Sequence, residues 1–508
     1  MGKIKTALFS RKNVYYYGRR DLPKAVNREF GLDKYTKTEL RGLPTVDELR
    51  ASLVSGNSAA RDQLAMLFDD STFVEVSAYA KRGFSDFVAT EKSNEFEGVI
   101  CGYGAIDGKL AFAFAEDTSR MGGVIDERHA KKIADLYNLA VKNGAPVIGI
   151  FNSNGTDIFA GTAGLAAYGK IMASVSAASG VVPQIAIVTG KCIGLSAAIA
   201  AMFDFTVKVK DASLYVSSPA LTGAENAQDS LVAFTGDLEQ CEGFVRTLVS
   251  FLPMSADTGV IVESCSDNLN KMLGELDFAG DANSVIGTIA DNGVFYSVSA
   301  DFANSVTTAF ATVGGVRCGI VATSFAKNEG RIDACVARKI SRFVNFLNAF
   351  SIPLVTLVDS NGLVIEKNNE TNFFAPELAK LATAYIGANV PKITVILGHA
   401  IGAAYVLLGS KSLGADIVYS LDNAEICALN ADSGVAFAWD KYITLEKTRE
   451  DLVEEWRASV SSPARAAASG EIDDIISTSE LRARICSALL MLSAKGNNTL
   501  IGRKVLPL

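Results

Sequence analysis

The chain has 508 residues, 49% hydrophobic and 20% charged, with 56 acidic against 48 basic side chains and a formal net charge of −8. That is the composition of a globular protein with room for more than one core. The acidic balance argues against a nucleic-acid surface but leaves room for a local basic patch that receives a small anionic ligand. Eight cysteines, at 101, 192, 241, 265, 318, 335, 427 and 486, show no CxxC spacing, and His129 and His399 are the only histidines; buried free thiols are expected and a metal site is not.

In chain order, the N-terminus carries charges and tyrosines in place of an apolar run of signal-peptide length, and the richest apolar stretch, Leu195 to Met202, ends at Asp204. A soluble, cytoplasmic protein is expected. Residues 1 to about 90 read as a helical, charged lead-in, with helical spacing from Asp62 to Phe68 and a strand at Phe73 to Val76. Gly98 to Gly104, a turn at Asp107-Gly108 and Leu110 to Phe114 predict a β-hairpin. A helix over His129 to Lys142 follows, then a wholly apolar strand, Val147 to Phe151, of the kind that is covered on both faces. A second apolar strand, Ile185 to Val188, leads through a glycine turn into a small-residue helix, Ala197 to Met202.

The same text then returns. Ala145-Pro-Val-Ile-Gly-Ile-Phe-Asn-Ser-Asn-Gly155 reappears as Ile352-Pro-Leu-Val-Thr-Leu-Val-Asp-Ser-Asn-Gly362 at an offset of 207, and Val182 to Gly190 as Val390 to Gly398 at an offset of 208. So long a period indicates two duplicated domains, not a solenoid. The second copy has its hairpin from Ala311 to Val321, its helix from Ala334 to Ala349, its strands at Leu354 to Val358 and Ile393 to Leu397, and its small-residue helix at Ala403 to Leu408. Alternating strands and helices predict right-handed βαβ crossovers in each half. The interval 222–300 joins the halves, with a helix over Leu238 to Leu252, and Glu471 to Lys495 reads as a final amphipathic helix.

Glycine between a buried strand and a helix leaves backbone N–H groups available to an anionic oxygen. Two such loops occur per half: Asn154-Gly155-Thr156 with Gly194-Leu195-Ser196, and Asn361-Gly362 with Gly402-Ala403-Ala404. His399 sits in a turn of the second copy, where an imidazole can face a ligand, whereas His129 lies on a charged helix beside Lys131 and Lys132 and reads as solvated or capping. Ser153 and Ser360 lie in no GxSxG elbow, the pair Asp473-Asp474 reads as a solvated helix start, and neither GxGxxG nor a P-loop is found.

Longer stretches resemble the carboxyltransferase subunits of biotin-dependent acyl-CoA carboxylases and decarboxylases, within the crotonase superfamily. They include Ala60 to Glu75, Gly102 to Gly108, His129 to Ile133, Lys142 to Pro146, Ala178 to Gln184, Ala349 to Leu354, Arg465 to Ala467 and Ile472 to Asp474. The resemblance implies an α/β fold of two tandem crotonase-like domains, each a ββα superhelix. Residues 1–90 would be a lead-in to the first domain, 91–250 the acyl-CoA domain, 251–300 a connector and 301–508 the biotin domain. It implies transfer of a carboxyl group between biotin and the α-carbon of a short-chain acyl-CoA through a thioester enolate. Asn154, Gly155, Gly194, Leu195, Gly402, Ala403 and Ala404 would lie at the reacting groups, with Asn361, Gly362, His399, Ile401 and Tyr405 toward biotin.

No Ala-Met-Lys-Met biotinylation motif is found, Asn270-Lys-Met272 being a poor substitute, so biotin is expected on a separate biotin carboxyl carrier protein. A biotin carboxylase subunit or a membrane decarboxylase subunit would complete the complex and could draw the chain to a membrane. The assembly implied is a hexamer, either of this chain alone or mixed with a paralogue. The loops depart from the family pattern: Asn152-Ser-Asn-Gly-Thr-Asp157 stands for Asp-Ser-Gly-Gly-Ala-Arg, Gly190-Lys-Cys-Ile-Gly-Leu-Ser196 for Gly-Pro-Cys-Ala-Gly-Gly-Ala, Asp359-Ser-Asn-Gly362 for Asp-Val-Pro-Gly, and Ala400-Ile-Gly-Ala-Ala-Tyr405 for Ala-Tyr-Gly-Gly-Ala-Tyr. Those departures keep two alternatives open: a non-catalytic paralogue that scaffolds an active sister subunit, and another crotonase-type thioester enzyme using Asp157.

Overall fold

The computed structural model describes residues 45–54, 57–81, 96–156, 161–223, 229–265, 267–271, 281–371 and 373–495. Residues 1–56 form one unit, whose described part is helix α1 (Val46–Val54), and residues 57–508 form another. The expected Asp157 lies outside the described residues, as does most of the N-terminal lead-in.

The second unit opens with helix α2 (Ala59–Leu67), capped by the Ser58 side chain on the Arg61 N–H, and edge strand β1 (Val74–Val76). Strands β2 (Val99–Ile106) and β3 (Lys109–Glu116) form the predicted hairpin. Its two turn residues, Asp107 and Gly108, have φ of 49° and 74°, the positive pair a two-residue hairpin needs to follow strand twist. Helix α3 (Glu127–Asn143) starts at Asp126, whose carboxylate accepts the Arg128 and His129 N–H groups, and stops at Gly144 in the left-handed conformation. Its apolar stripe packs on β2 and β3, and the next strand, β4 (Val147–Phe151), is buried at every position.

The first half continues through α4 (Thr162–Ala178), β5 (Gln184–Val188), the short β6 (Lys191–Ile193), α5 (Leu195–Ala201), β7 (Phe205–Val209), β8 (Ser213–Tyr215), β9 (Val232–Gly236) and α6 (Leu238–Phe251). Its main sheet runs β1-β2-β3-β4-β5-β7-β9, antiparallel at the hairpin and parallel from β3 onward, while β6 pairs with β8.

The second half repeats this plan: α7 (Ala282–Ile289), β10 (Phe295–Val298), β11 (Val306–Val313), β12 (Val316–Thr323), α8 (Ala334–Ala349), β13 (Leu354–Ser360), α9 (Phe374–Gly387), β14 (Lys392–Ile401), α10 (Ala403–Leu407), β15 (Ile417–Leu421), β16 (Glu425–Cys427) and, beyond α11 (Arg449–Ser459), β17 (Asp474–Ile476) and α12 (Leu481–Leu492). Its sheet order is β10-β11-β12-β13-β14-β15-β17, with β16 on the far end of β14. The interval read as a connector is in part the second copy's own lead-in, since α7 and the edge strand β10 match α2 and β1 in order and placement.

Three expectations are corrected. His399 lies not in a turn but within strand β14, opposite Glu425 of β16. The stretch 471–495 is not one helix: Asp474-Ile475-Ile476 pairs in parallel with β15, and the helix begins only at Leu481, after Ser477 and Glu480 cap each other. The β-branched pair favours the strand, and Asp473 is not a solvated helix start, because its carboxylate accepts the Val418 N–H and the Lys411 ammonium. His129 is not solvated; it is fully buried on the sheet side of α3, with Nδ1 4.0 Å from the Glu97 carboxylate.

The halves share a core. Phe205 of the first half stacks edge-on against Phe346 (4.6 Å) and Phe310 (5.9 Å) of the second, and the Arg342 guanidinium donates to the Phe203 and Asp204 carbonyls. Five of the eight cysteines are buried and three partly so, all as free thiols, as expected.

Candidate active site

Each half turns the end of a parallel strand into the start of a short helix, and the two turns have one geometry. Gly194 before α5 has φ 60°, ψ −126°, and Gly402 before α10 has φ 58°, ψ −132°, a region open in practice only to glycine. Gly155 and Gly362, which end the neighbouring loops, agree as closely, at φ 102° and 100°.

The hydrogen bonds are duplicated too. The Gly194 N–H donates to Tyr215 O (3.0 Å) and the Gly402 N–H to Cys427 O (2.8 Å). The Asn154 N–H donates to Gly122 O (3.0 Å), the Asn361 N–H to Glu329 O (2.9 Å), and Gly155 to the Ser153 hydroxyl (3.0 Å). Within the expected donor loops, the N–H groups of Asn154, Gly155, Gly194, Asn361 and Gly402 are therefore engaged inside the chain. The glycines instead turn the chain so that the next residues open a helix. First-turn N–H groups have no acceptor within their own helix, so the donors each half offers are Leu195 with Ser196, and Ala403 with Ala404. Leu195 is 44% exposed and a Cβ at Gly194 would meet nothing within 4 Å, which makes this an open ledge. The arrangement suits an oxygen on which negative charge develops.

Behind each loop, a residue at the end of the strand, Asn152 just past β4 and Asp359 within the end of β13, holds it to its neighbour. In the second half Asp359 accepts the His399 backbone N–H and contacts His399 Nδ1, both at 2.8 Å, while the imidazole stacks on Phe325 at 4.3 Å. An imidazole clamped at Nδ1 by a buried carboxylate presents its other nitrogen in a fixed direction. In the first half Asn152 replaces the aspartate, its Oδ1 accepts the Lys191 N–H (3.1 Å), and its own N–H donates to Glu116 (2.7 Å). Burial pushes the Glu116 carboxyl up to about 8, against a smaller opposing effect of that hydrogen bond, so it is uncharged at neutral pH.

The structure thus brings Asn154, Gly155, Gly194 and Leu195 together in the first half, and Asn361, Gly362, His399, Ile401, Gly402, Ala403 and Ala404 in the second, where a Cβ on Gly362 would stand 3.6 Å from Ile401 O. Tyr405 points elsewhere: its hydroxyl reaches Glu471 at 3.3 Å. Reasoning from sequence missed Glu116, Phe325 and Glu329, which come from strand ends and turns remote in the chain; Lys191 and Asp359 stood in the quoted motifs without a role.

This paired geometry has known counterparts. Residues 52–505 match the carboxyl transferase domain. The chain belongs to that family. It is 35% identical to the methylmalonyl-CoA decarboxylase subunit alpha of Veillonella parvula, covering 87% of this chain and 91% of the relative, and 32% identical to the human mitochondrial propionyl-CoA carboxylase beta chain, covering 87% and 86%. Transcarboxylase 12S, solved as a hexamer with hydrolysed methylmalonyl-coenzyme A bound, superposes with a TM-score of 0.82 at 31% identity, covering 89% of this chain and 93% of that one. The carboxyltransferase is therefore an enzyme of two crotonase-like domains, from a family that uses biotin and an acyl-CoA thioester. Among the described residues, no helix is long and apolar enough to cross a membrane.

Proposed function

We propose that this carboxyltransferase moves a carboxyl group between biotin on a separate carrier protein and the α-carbon of a short-chain acyl-CoA of the propionyl/methylmalonyl or acetyl/malonyl kind. The first half would receive the thioester and the second the biotin ureido group. The observation that carries this reading is the matched conformation of Gly194 and Gly402, which gives one chain two equivalent oxygen-binding ledges for a reaction with two carbonyl groups.

Leu195 and Ser196 N–H groups would hold the thioester oxygen as charge moves onto it in the enolate, and one such donor is typically worth about 10²–10³ in rate. The second ledge fits a ureido group: Ser360 Oγ at the end of β13 is buried without a hydrogen-bond partner among the described residues, and His399, next to the Ala400 that pairs with Ser360, is held in one orientation on β14. Biotin, when bound, supplies N1′ as the atom that gives or takes the carboxyl. Ala403 and Ala404 would polarise the ureido oxygen, and His399 would position the ring through its outward nitrogen.

The relatives are named as subunits, which supports a carrier chain and a further biotin carboxylase or membrane decarboxylase subunit as partners, in an assembly like the transcarboxylase 12S hexamer. The test is exchange of labelled carboxyl between methylmalonyl- or malonyl-CoA and free biotin by the purified chain. Exchange that needs both ligands is the expected result; none with any short acyl-CoA would sink the reading.

A further inference from the structure

We propose that Lys191 makes this enzyme prefer acyl-CoA thioesters whose acyl group bears a free carboxylate. The inference rests on the reading that the first-half loop receives the thioester.

The duplication supplies an internal comparison. In the second half, the asparagine of Ser-Asn-Gly is held by an acid: Asn361 Nδ2 donates to Glu329 at 2.5 Å, and Glu329 also pairs with Arg331 at 2.8 Å. In the first half Gly122 stands at the position of Glu329, 207 residues earlier, so that carboxylate is missing beside the corresponding amide. A base holds it instead. Lys191 Nζ donates to Asn154 Oδ1 at 3.0 Å. Lys191 occupies the place of His399, and the aspartate that clamps His399 is replaced beneath Lys191 by the neutral Asn152.

Among the described residues Lys191 forms no ion pair, and Glu116, which accepts the Asn152 N–H behind the loop, keeps its proton at neutral pH. The same fold therefore carries a carboxylate-held loop in one copy and an ammonium-held loop in the other. Asn154 uses one of the three Lys191 donors, and the residue is exposed beside the open ledge at Gly194 and Leu195. A carboxylate on the acyl chain is the ligand that completes this ammonium. It could be the group on the α-carbon or one at the far end of a dicarboxylic acyl chain.

The experiment is equilibrium binding of acetyl-, butyryl-, malonyl- and glutaryl-CoA to the full chain and to its Lys191→Gln, Lys191→Arg and Gly194→Ala variants. Wild type should bind a carboxylated thioester on the order of tenfold more tightly than its uncharged analogue, the scale of one charge-assisted hydrogen bond. Lys191→Gln should remove that preference and Lys191→Arg retain most of it. A preference for malonyl-CoA assigns the α-carboxylate, and one for glutaryl-CoA alone assigns the distal group. If Lys191→Gln weakens charged and uncharged thioesters alike, or leaves the preference intact, the proposal is wrong. Gly194→Ala separates the two readings. Unchanged binding of all four thioesters to it means the thioester lies elsewhere, whereas general weakening there with no effect of Lys191→Gln overturns the Lys191 proposal alone.

Discussion

Single residues decide the chemistry, because the backbone of the two loops is the same and only side chains differ. Gly194→Ala and Gly402→Ala each force a side chain into a backbone region that costs about 1–3 kcal/mol, and the second also sets a Cβ 3.2 Å from Ala428 O. On the proposed reading, Gly194→Ala raises KM for the acyl-CoA and Gly402→Ala raises KM for free biotin in the exchange assay; a reversed pattern would exchange the roles of the two halves. His399→Ala should likewise raise KM for biotin and leave that for acyl-CoA in place. Glu116 has a pH signature. Folded, it holds its proton to about 8; unfolded, it loses it near the ordinary value of 4.5. The folded state thus binds more protons between those limits, and stability falls as pH rises through that window, by up to about 1.4 kcal/mol per pH unit for one group. Glu116→Gln keeps an acceptor for the Asn152 N–H and should flatten that slope in urea titrations; an unchanged slope would mean that Glu116 ionises normally.

At the scale of elements, duplication reaches beyond the loops. Helices α3 and α8 each carry a buried lysine at matched positions, and each reaches the carbonyl of the first residue in a hairpin strand: Lys132 to Val99 O (2.6 Å), Lys339 to Val306 O (2.8 Å). Lys339 also binds Phe302 O, and burial lowers its ammonium to about 7. A lysine inside an amphipathic helix normally marks the wet face, and here it ties helix to sheet. Lys132→Met and Lys339→Met keep the stem and remove the donor, leaving a buried carbonyl short of a partner at an expected cost of about 1–3 kcal/mol each by urea denaturation. No loss in either variant would assign those lysines to solvation alone. The strand-to-loop junctions are equally constrained: a Cβ on Gly330 would lie 2.1 Å from Asp359 O, so only glycine lets this turn approach the end of β13 so closely.

Across the whole molecule, the two halves are lobes of one unit, with Phe205, Phe310 and Phe346 packed at the seam. Phe346→Ala is expected to cost about 3–5 kcal/mol and to lower both lobes in one transition. Two separate transitions, followed by probes placed in each sheet, would show that the lobes are energetically independent. The duplication, the hairpin with its Asp107-Gly108 turn, the buried strands at Val147 and Leu354 and the helix over Ala334 to Ala349 are legible in the residues alone, because period, turn chemistry and apolar runs are local properties. Local pattern failed where long-range pairing competed: Ile475-Ile476 joined β15 instead of a helix, and His129 went inside although its neighbours are charged. It also left open which donors each loop offers. Folding in three dimensions is what commits the N–H groups of Asn154, Gly194 and Gly402 to carbonyls from Gly122, Tyr215 and Cys427, and what brings Lys191 to Asn154 while Asp359 clamps His399. Those partners lie tens of residues apart, and hydrogen bonding between strand ends is set by how the sheet stacks its neighbours, which no local spacing encodes.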